Sequence, residues 1–296
     1  SEQLRMPVIA NNHDFYWEGG RSRVAREREG SPAGPRDHFF TNAHLGEVFS
    51  VIQMIYPWVA RTWISANLSR IQSFQLVRRF GHNPANVAEL GTAVDTALFA
   101  PLNRPRRVEV LRQLSILLTG SRKRLGANSV AAVLRQNPLA ADRPQPLLLA
   151  AREIKNVDFV RDNMILLQPT RIIKRKKIET NFRVISRLFS DAEFINAFRN
   201  TPNLKVTLLI TGPVADENDR YFLRLLRDFD TCVSRLPGSV RDRVFFALLL
   251  SGIDYPDFRK QFDQPCTIAD LYGVASLVVL PSETEGRGLP IIEAAT

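Results

Sequence analysis

Short apolar runs alternate with stretches of helical spacing through the second half of the chain. The apolar runs have the length of buried strands. They lie at 164–167, 205–210, 244–250 and 277–280. Between them, apolar residues recur every three or four positions, which predicts helices. These helices span 178–199, 219–236 and 268–274. Such alternation predicts a parallel sheet covered by helices.

The first hundred residues repeat this alternation more weakly. Strands are predicted at 6–10, 62–65 and 87–90, and helices at 45–56 and 68–80. In the second of these helices Leu68, Ile71 and Phe74 share one face, and Gly81 follows as a C-cap. We therefore expect a first parallel α/β domain over 1–101.

The stretch between the two alternating regions differs in composition. It contains two helical patches, a proline-rich break at 143–146 and two basic clusters. The clusters are Arg104, Arg106 and Arg107, and Arg122, Lys123 and Arg124. We interpret 102–161 as a helical linker or insertion, so that the second domain covers 162–296. Charged stretches of this kind are usually solvated.

The segment 277–296 combines a strand, a turn with two glycines and the start of a helix. Residues 277–280 predict a strand buried on both faces. Glu285 and Glu293 flank the junction with seven residues between them. The carboxyl end of a strand that leads into a helix is where α/β sheets bind ligands, and it favours anions. Two carboxylates there indicate an anionic ligand that also carries hydroxyl groups.

A basic loop follows the first predicted strand of the second domain. In a parallel sheet this loop lies at the same carboxyl edge as Glu285. Arg171 and Lys176 can bind the two phosphates of a diphosphate, the arginine as a planar fork and the lysine as a point charge. A solvated surface loop is the alternative. Gly212, after the next strand, indicates either a close approach of a ligand to the backbone or a plain turn.

The composition limits the kinds of partner that the chain is expected to bind. The 296 residues contain 40 Lys and Arg against 30 Asp and Glu, a net charge of +10. This charge fits nucleic acid, an anionic membrane surface, phosphate-bearing ligands or a solvated basic surface.

Cys232 and Cys266 show no metal or redox spacing and indicate a reducing compartment, so we expect a cytoplasmic protein. No set of residues has metal-ligand spacing. The chain opens almost directly into a predicted strand and stops inside a predicted helix, so we expect a fragment.

These residues together resemble a known family. The segment PSETEGRGLPIIEA is similar to the donor-site signature of family 4 of the GT-B glycosyltransferases, with Glu285 and Glu293 in the places of its two glutamates. Arg171 and Lys176 match the basic pair of the family's G-R-L-x-x-x-K-G loop. Lys177 replaces the final glycine of that loop.

Further matches extend the resemblance to the first domain. Residues 81–101 are similar to the family's crossing between domains, and His13 with Asp14 matches its first-domain histidine–aspartate pair. The glycine-rich loop that opens the family's first domain has no counterpart, and neither do the last strands of its second domain. The resemblance therefore implies a GT-B-like α/β fold with two Rossmann-like parallel-sheet domains, both incomplete.

The resemblance implies transfer of a hexose, with retention, from UDP- or GDP-hexose to a hydroxyl of an unknown acceptor. It implies catalytic roles for His13 and Glu285, and it requires no metal or other cofactor. The residues implied in donor binding are Arg171, Lys176, Gly286, Arg287, Gly288, Leu289 and Glu293.

Two alternatives stay open beside this implied activity. The chain can be an inactive GT-B-like remnant that serves as a scaffold or binds another ligand. Its basic surface can also make peripheral contact with an anionic membrane that carries the acceptor. Nucleic-acid binding is not expected, because the sequence lacks a recognition motif and a platform of aromatic and basic residues.

Overall fold

A computed structural model describes two compact units of the chain. The described ranges are 9–12, 64–67, 83–91, 93–120, 146–151, 158–214, 218–251, 259–282, 285 and 288–296, with single residues at 70, 73, 74, 77, 78, 133, 139 and 253. The first unit contains Ser1–Val94 and Thr284–Leu289, and the second contains Asp95–Glu283 and Pro290–Thr296.

The first unit holds a three-stranded parallel sheet with the strand order β1–β2–β3. The strands are β1 (Ile9–Asn12), β2 (Ile64–Asn67) and β3 (Val87–Glu89). They overlap the three strands predicted for this region.

Helical backbone at 70, 73, 74, 77 and 78 agrees with the helix predicted over 68–80. Phe74, on the predicted apolar face, is nevertheless 62% exposed, while Ser73 is buried. The guanidinium carbon of Arg78 lies 5.9 Å from the Phe74 ring centroid. This cation–π contact covers part of a ring that the described core leaves exposed.

The second unit is built on a five-stranded sheet with the strand order β4–β7–β6–β5–β8. The strands are β4 (Leu147–Ala150), β5 (Asn163–Gln168), β6 (Lys205–Ile210), β7 (Val244–Leu248) and β8 (Leu277–Val278). β4 is antiparallel to β7, and all other neighbours are parallel. The sheet is the predicted parallel α/β layer with one antiparallel strand added at an edge.

Helices cover both faces of this sheet. The described α-helices are α1 (Arg104–Gly120), α2 (Glu179–Leu188), α3 (Ala192–Asn200), α4 (Asp219–Ser234), α5 (Gly238–Arg241), α6 (Ile268–Val274) and α7 (Leu289–Ala294). One core joins α2, α3 and α4 to strand residues such as Phe246, and the other joins α1 and α6 to Phe245. Because side chains alternate along a strand, these two neighbours belong to opposite cores.

The range 102–161, interpreted from sequence as a linker or insertion, contains α1 and β4. Both elements lie in the second unit, where α1 contributes to one core and β4 extends the sheet. β4 was not predicted from the sequence, because the four apolar residues that form it follow a stretch rich in proline and arginine. All four are buried.

Two further predictions are corrected by the structure. The single helix expected over 178–199 is two helices, because the Asp191 side chain caps α3 by accepting from the Phe194 amide at 2.8 Å. The strand expected at 277–280 is not buried on both faces. Within the described residues β8 pairs only with β5, so it lies at the sheet edge, and Leu277 is 48% exposed.

Candidate functional site

The basic loop leaves the sheet at the end of β5, beside β8. These two strands are parallel, with Leu166 opposite Leu277 and Leu167 opposite Val278. The Val279 amide continues the ladder by donating to the Leu167 carbonyl at 2.8 Å. The loop after β5 and the turn after β8 therefore leave the same carboxyl edge. Open α/β sheets bind their ligands at this edge.

A buried side chain, Gln168, lies at the base of the loop. Its amide nitrogen donates to the Thr170 hydroxyl at 3.1 Å and to the Lys176 carbonyl at 2.9 Å. Its side-chain oxygen accepts from the Asn181 amide nitrogen at 2.5 Å. Gln168 and Asn181 are both almost fully buried. The last residue of β5 is thus bonded to both ends of the loop and to α2.

Gly212, just after β6, lets the loop lie directly against the end of that strand. A Cβ at this position would stand 2.6 Å from the Thr170 carbonyl oxygen and 2.7 Å from the Arg171 Cα. Both distances are shorter than a side chain tolerates. Ile172 then forms an isolated parallel bridge with Val214. Gly212 therefore permits a close backbone approach, and the segment that approaches is the basic loop itself.

Arg171 and Lys176 take different positions in the loop. Arg171 is exposed, whereas Lys176 is only 9% exposed. Lys176 closes a 3₁₀ turn formed by Lys174–Lys176. Lys177 follows in the left-handed conformation with φ of 49°, which costs a non-glycine residue about 1–2 kcal/mol. The glycine that the resembled family has at this position would avoid that strain.

On the β8 side, the Tyr272 hydroxyl donates a hydrogen bond to the Glu293 carboxylate. The Tyr272 ring, on α6, packs edge-on against Phe99 with centroids 5.3 Å apart. Burial, and then the Glu293 carboxylate, raise the pKa of Tyr272 well above its ordinary value. The hydroxyl therefore stays protonated and donates at neutral pH. Sequence reasoning missed Tyr272, because nothing in its spacing indicates a partner on a later helix.

Two arginines of α1 bind opposite ends of α6. Arg106 contacts both oxygens of Asp270 at 3.0 and 2.6 Å, and Arg107 donates to the Gly273 carbonyl at 2.6 Å. Asp270 also forms a capping box with Thr267. Burial acts to raise the pKa of Asp270, but the hydrogen bonds from Arg106 and Thr267 outweigh it and hold that pKa below its usual value. This part of the basic cluster is structural.

A polar groove of about 660 Å³ lies between α1 and 261–264. Its buried polar side chains already have partners within the protein. Gln113 donates to the Glu109 carboxylate and to the Gln264 carbonyl, and it accepts from the Cys266 amide. Burial raises the pKa of the Cys266 thiol to about 12, which makes it a poor nucleophile.

The predicted site residues fall into three groups. Arg171, Lys176 and Glu293 belong to the second unit. Glu285, Gly288 and Leu289 belong to the first unit. Gly288 has a φ of 61°, which favours glycine, and Leu289 begins α7. His13, Asp14, Gly286 and Arg287 lie outside the described residues.

The described part of the chain lacks a candidate metal site and a candidate membrane span. No group of three or more His, Cys, Asp and Glu side chains there is arranged to hold a metal ion. In the same ranges no helix combines the length and apolarity needed to cross a membrane.

The units together define a mixed α/β fold dominated by parallel strands. No family model matches the chain, and no curated protein does. Among solved structures, it resembles Anabaena HepE in complex with UDP, with a TM-score of 0.50 and 12% identity over 99% of this chain and 52% of that one. This likeness confirms the predicted GT-B-like fold class.

Two other solved structures share weaker likeness. HepE in complex with UDP-glucose matches at a TM-score of 0.48 and 13% identity, over 98% of this chain and 51% of that one. An alpha,alpha-trehalose-phosphate synthase (UDP-forming) from Burkholderia vietnamiensis matches at 0.41 and 9% identity, over 90% and 47%. The chain thus spans about half the length of the solved structures that it matches.

Proposed function

We propose that this chain belongs to a retaining glycosyltransferase that transfers a hexose from a nucleotide diphosphate sugar to an acceptor hydroxyl. The observation that carries the proposal is the anchored basic loop, which presents Arg171 at the carboxyl edge beside β8. HepE, which shares the fold, was solved with UDP. A UDP-hexose is therefore the first donor to test, and a GDP-hexose is the second.

In this proposal the loop neutralises the diphosphate. Arg171 and Lys176 stabilise the negative charge that develops on the leaving group, so that no metal is needed. The backbone amides of 286–289 add donors. Glu293 accepts from the ribose hydroxyls and Glu285 from those of the sugar, because a carboxylate can accept two O–H bonds from a vicinal diol.

The proposal assigns the acceptor side to 1–101 and the donor side to 162–296. His13, followed by Asp14, faces the transferred sugar in this assignment. A histidine suits that place because it can donate a hydrogen bond to a sugar hydroxyl or accept one from it near neutral pH.

Calorimetric titration with UDP tests the proposal directly. Arg171→Ala removes an exposed side chain, so folding should be unaffected. Since a hydrogen bond to a charged group contributes about 1.5–3 kcal/mol, we expect UDP affinity to fall about ten- to hundredfold. Arg227→Ala, an exposed arginine of α4, is the matched control and should leave affinity unchanged. Equal UDP affinity in both variants and the parent would reject this donor site.

An inactive remnant that serves as a scaffold or binds another ligand is the second candidate. The bond from Tyr272 to Glu293 favours it, because it engages the carboxylate that donor binding assigns to the ribose. Calorimetry with UDP-glucose, together with release of UDP from it in water and with added glycans as acceptors, separates the two. Absence of both binding and release identifies the remnant.

A further inference from the structure

We propose that Gln168 and Asn181 are positioning residues that hold the basic loop in the shape that binds the donor diphosphate. This inference rests on the proposed function, since it needs the loop to be the phosphate site. The sequence analysis assigned no role to either residue. Both are polar side chains in a region where their neighbours along the chain, Leu167 and Phe182, are core residues.

Gln168 is hydrogen-bonded to both ends of the basic loop. Its two amide hydrogens are directed to the Thr170 hydroxyl, at the start of the loop, and to the Lys176 carbonyl, at its end. Its oxygen accepts from Asn181, in the first turn of α2. One side chain therefore fixes the distance between the two ends of the loop and their placement relative to the sheet.

The charge of the loop explains why such a tie is useful. Five cations fall within seven residues: Arg171, Lys174, Arg175, Lys176 and Lys177. Like charges this close repel one another and favour an extended loop. A loop held compact before the ligand arrives loses less conformational freedom on binding, and this preorganisation favours affinity.

A purely structural role would not require these side chains. Buried polar groups contribute little net stability when paired, but they are costly when one partner is removed. An apolar pair of similar volume could fill the same space. What the paired amides add is a single geometry for the backbone at Thr170 and Lys176.

Gln168→Met tests the inference, because it keeps the volume of the side chain and removes all three bonds. UDP affinity is measured by calorimetry, uridine binding by saturation-transfer NMR and stability by the melting temperature. We expect UDP affinity to fall at least about tenfold with uridine binding unchanged, since uridine carries no phosphate.

A double variant, Gln168→Met with Asn181→Leu, separates positioning from stability. It removes both partners, so that the melting temperature should recover part of the loss seen in Gln168→Met. UDP affinity should stay low, because the loop remains untied. Recovery of UDP affinity together with stability would overturn the inference.

Thr207→Val is the matched control. The Thr207 hydroxyl donates to the Asn163 side chain at 3.0 Å, near the opposite end of the same sheet, and Thr207 is buried. This variant should lower the melting temperature and leave UDP affinity unchanged. A loss of UDP affinity equal to that of Gln168→Met would overturn the inference, because any buried polar defect would then act alike.

The two proposals fail in different ways. Unchanged UDP affinity in Gln168→Met, with the expected loss in Arg171→Ala, overturns the positioning role alone. Unchanged affinity in both overturns the donor site and the positioning role with it. If Gln168→Met does not fold, Thr170→Val removes a single bond of the network. A selective loss of UDP affinity in that variant supports the inference, and no loss overturns it.

Discussion

The basic loop after β5 and the turn after β8 leave the same sheet edge but are held in opposite ways. The loop is tied by Gln168, packs closely on Gly212 and forms a backbone bridge through Ile172. The turn follows a two-residue strand at the sheet edge. Its helix α7 is linked to α6 by the bond from Tyr272 to Glu293.

This difference indicates that the phosphate side and the ribose side of the proposed donor site are held in place by different kinds of contact. The phosphate side is built from backbone contacts and buried amides, which keep one geometry without a ligand. The ribose side depends on a tyrosine hydroxyl whose helix is itself held by Arg106 and Arg107. A donor that binds here would meet a preformed anion site first and would compete with Tyr272 for Glu293.

The largest expected effect concerns how much β5 and β8, the strands that precede the two segments, contribute to the stability of the fold. Leu166 of β5 and Leu277 of β8 are opposite each other in the ladder, yet Leu166 is fully buried and Leu277 is half exposed. We expect Leu166→Ala to lower the free energy of unfolding by about 2–5 kcal/mol and Leu277→Ala by at most about 0.5 kcal/mol. Urea denaturation of both variants measures the difference. Similar losses would show that β8 is covered in solution.

Gly212→Ala should disrupt the phosphate side. The added Cβ would stand 2.6–2.7 Å from backbone atoms of Thr170 and Arg171, so the loop must shift. We expect the free energy of unfolding to fall by about 1–3 kcal/mol. We also expect the variant to bind UDP more weakly than the parent protein does. Thermal melting and calorimetry measure the two effects.

Gly238→Ala is the control for Gly212→Ala. At Gly238 the nearest atom to an added Cβ is the flexible Arg241 side chain at 3.5 Å, an ordinary contact. That variant should change stability by less than about 0.5 kcal/mol and leave UDP affinity intact. If Gly212→Ala behaves like this control, the loop is not held by β6.

Local signals in the sequence account for much of the second unit. The strand at Lys205–Ile210 and the helix at Ile268–Val274 have the bounds that their apolar patterns predict. The prediction succeeds there because the strand is buried on both faces, and because the Thr267 capping box marks the start of a helix that is itself mostly buried. It fails at β8, where the same apolar run is exposed for lack of a second described neighbour.

The contacts that support the candidate site were harder to predict from sequence, because some join distant residues and others depend on which polar side chains become buried. The resemblance singled out Arg171 and Glu293 as site residues. It did not indicate Gln168, which binds the loop that carries Arg171, or Tyr272, which bonds to Glu293. Arg106 and Asp270 are 164 positions apart, and Arg106 looked like part of a solvated cluster. A lone glutamine at a strand end, such as Gln168, carries no pattern that reveals its burial.

The smallest effect is expected from Tyr272→Phe. Phenylalanine keeps the ring contact with Phe99 and removes only the hydroxyl that bonds to Glu293. Water can replace the hydroxyl at the partly exposed carboxylate, so the net effect on binding is about 1 kcal/mol, and we expect both ligands to bind about two- to tenfold more tightly. Because Glu293 is assigned to the ribose, uridine and UDP should gain affinity equally, in contrast to Gln168→Met. Calorimetry with UDP and saturation-transfer NMR with uridine make this comparison. Weaker binding of both ligands would show instead that Tyr272 positions Glu293 for the ribose, and a change confined to UDP would place Glu293 on the phosphate side.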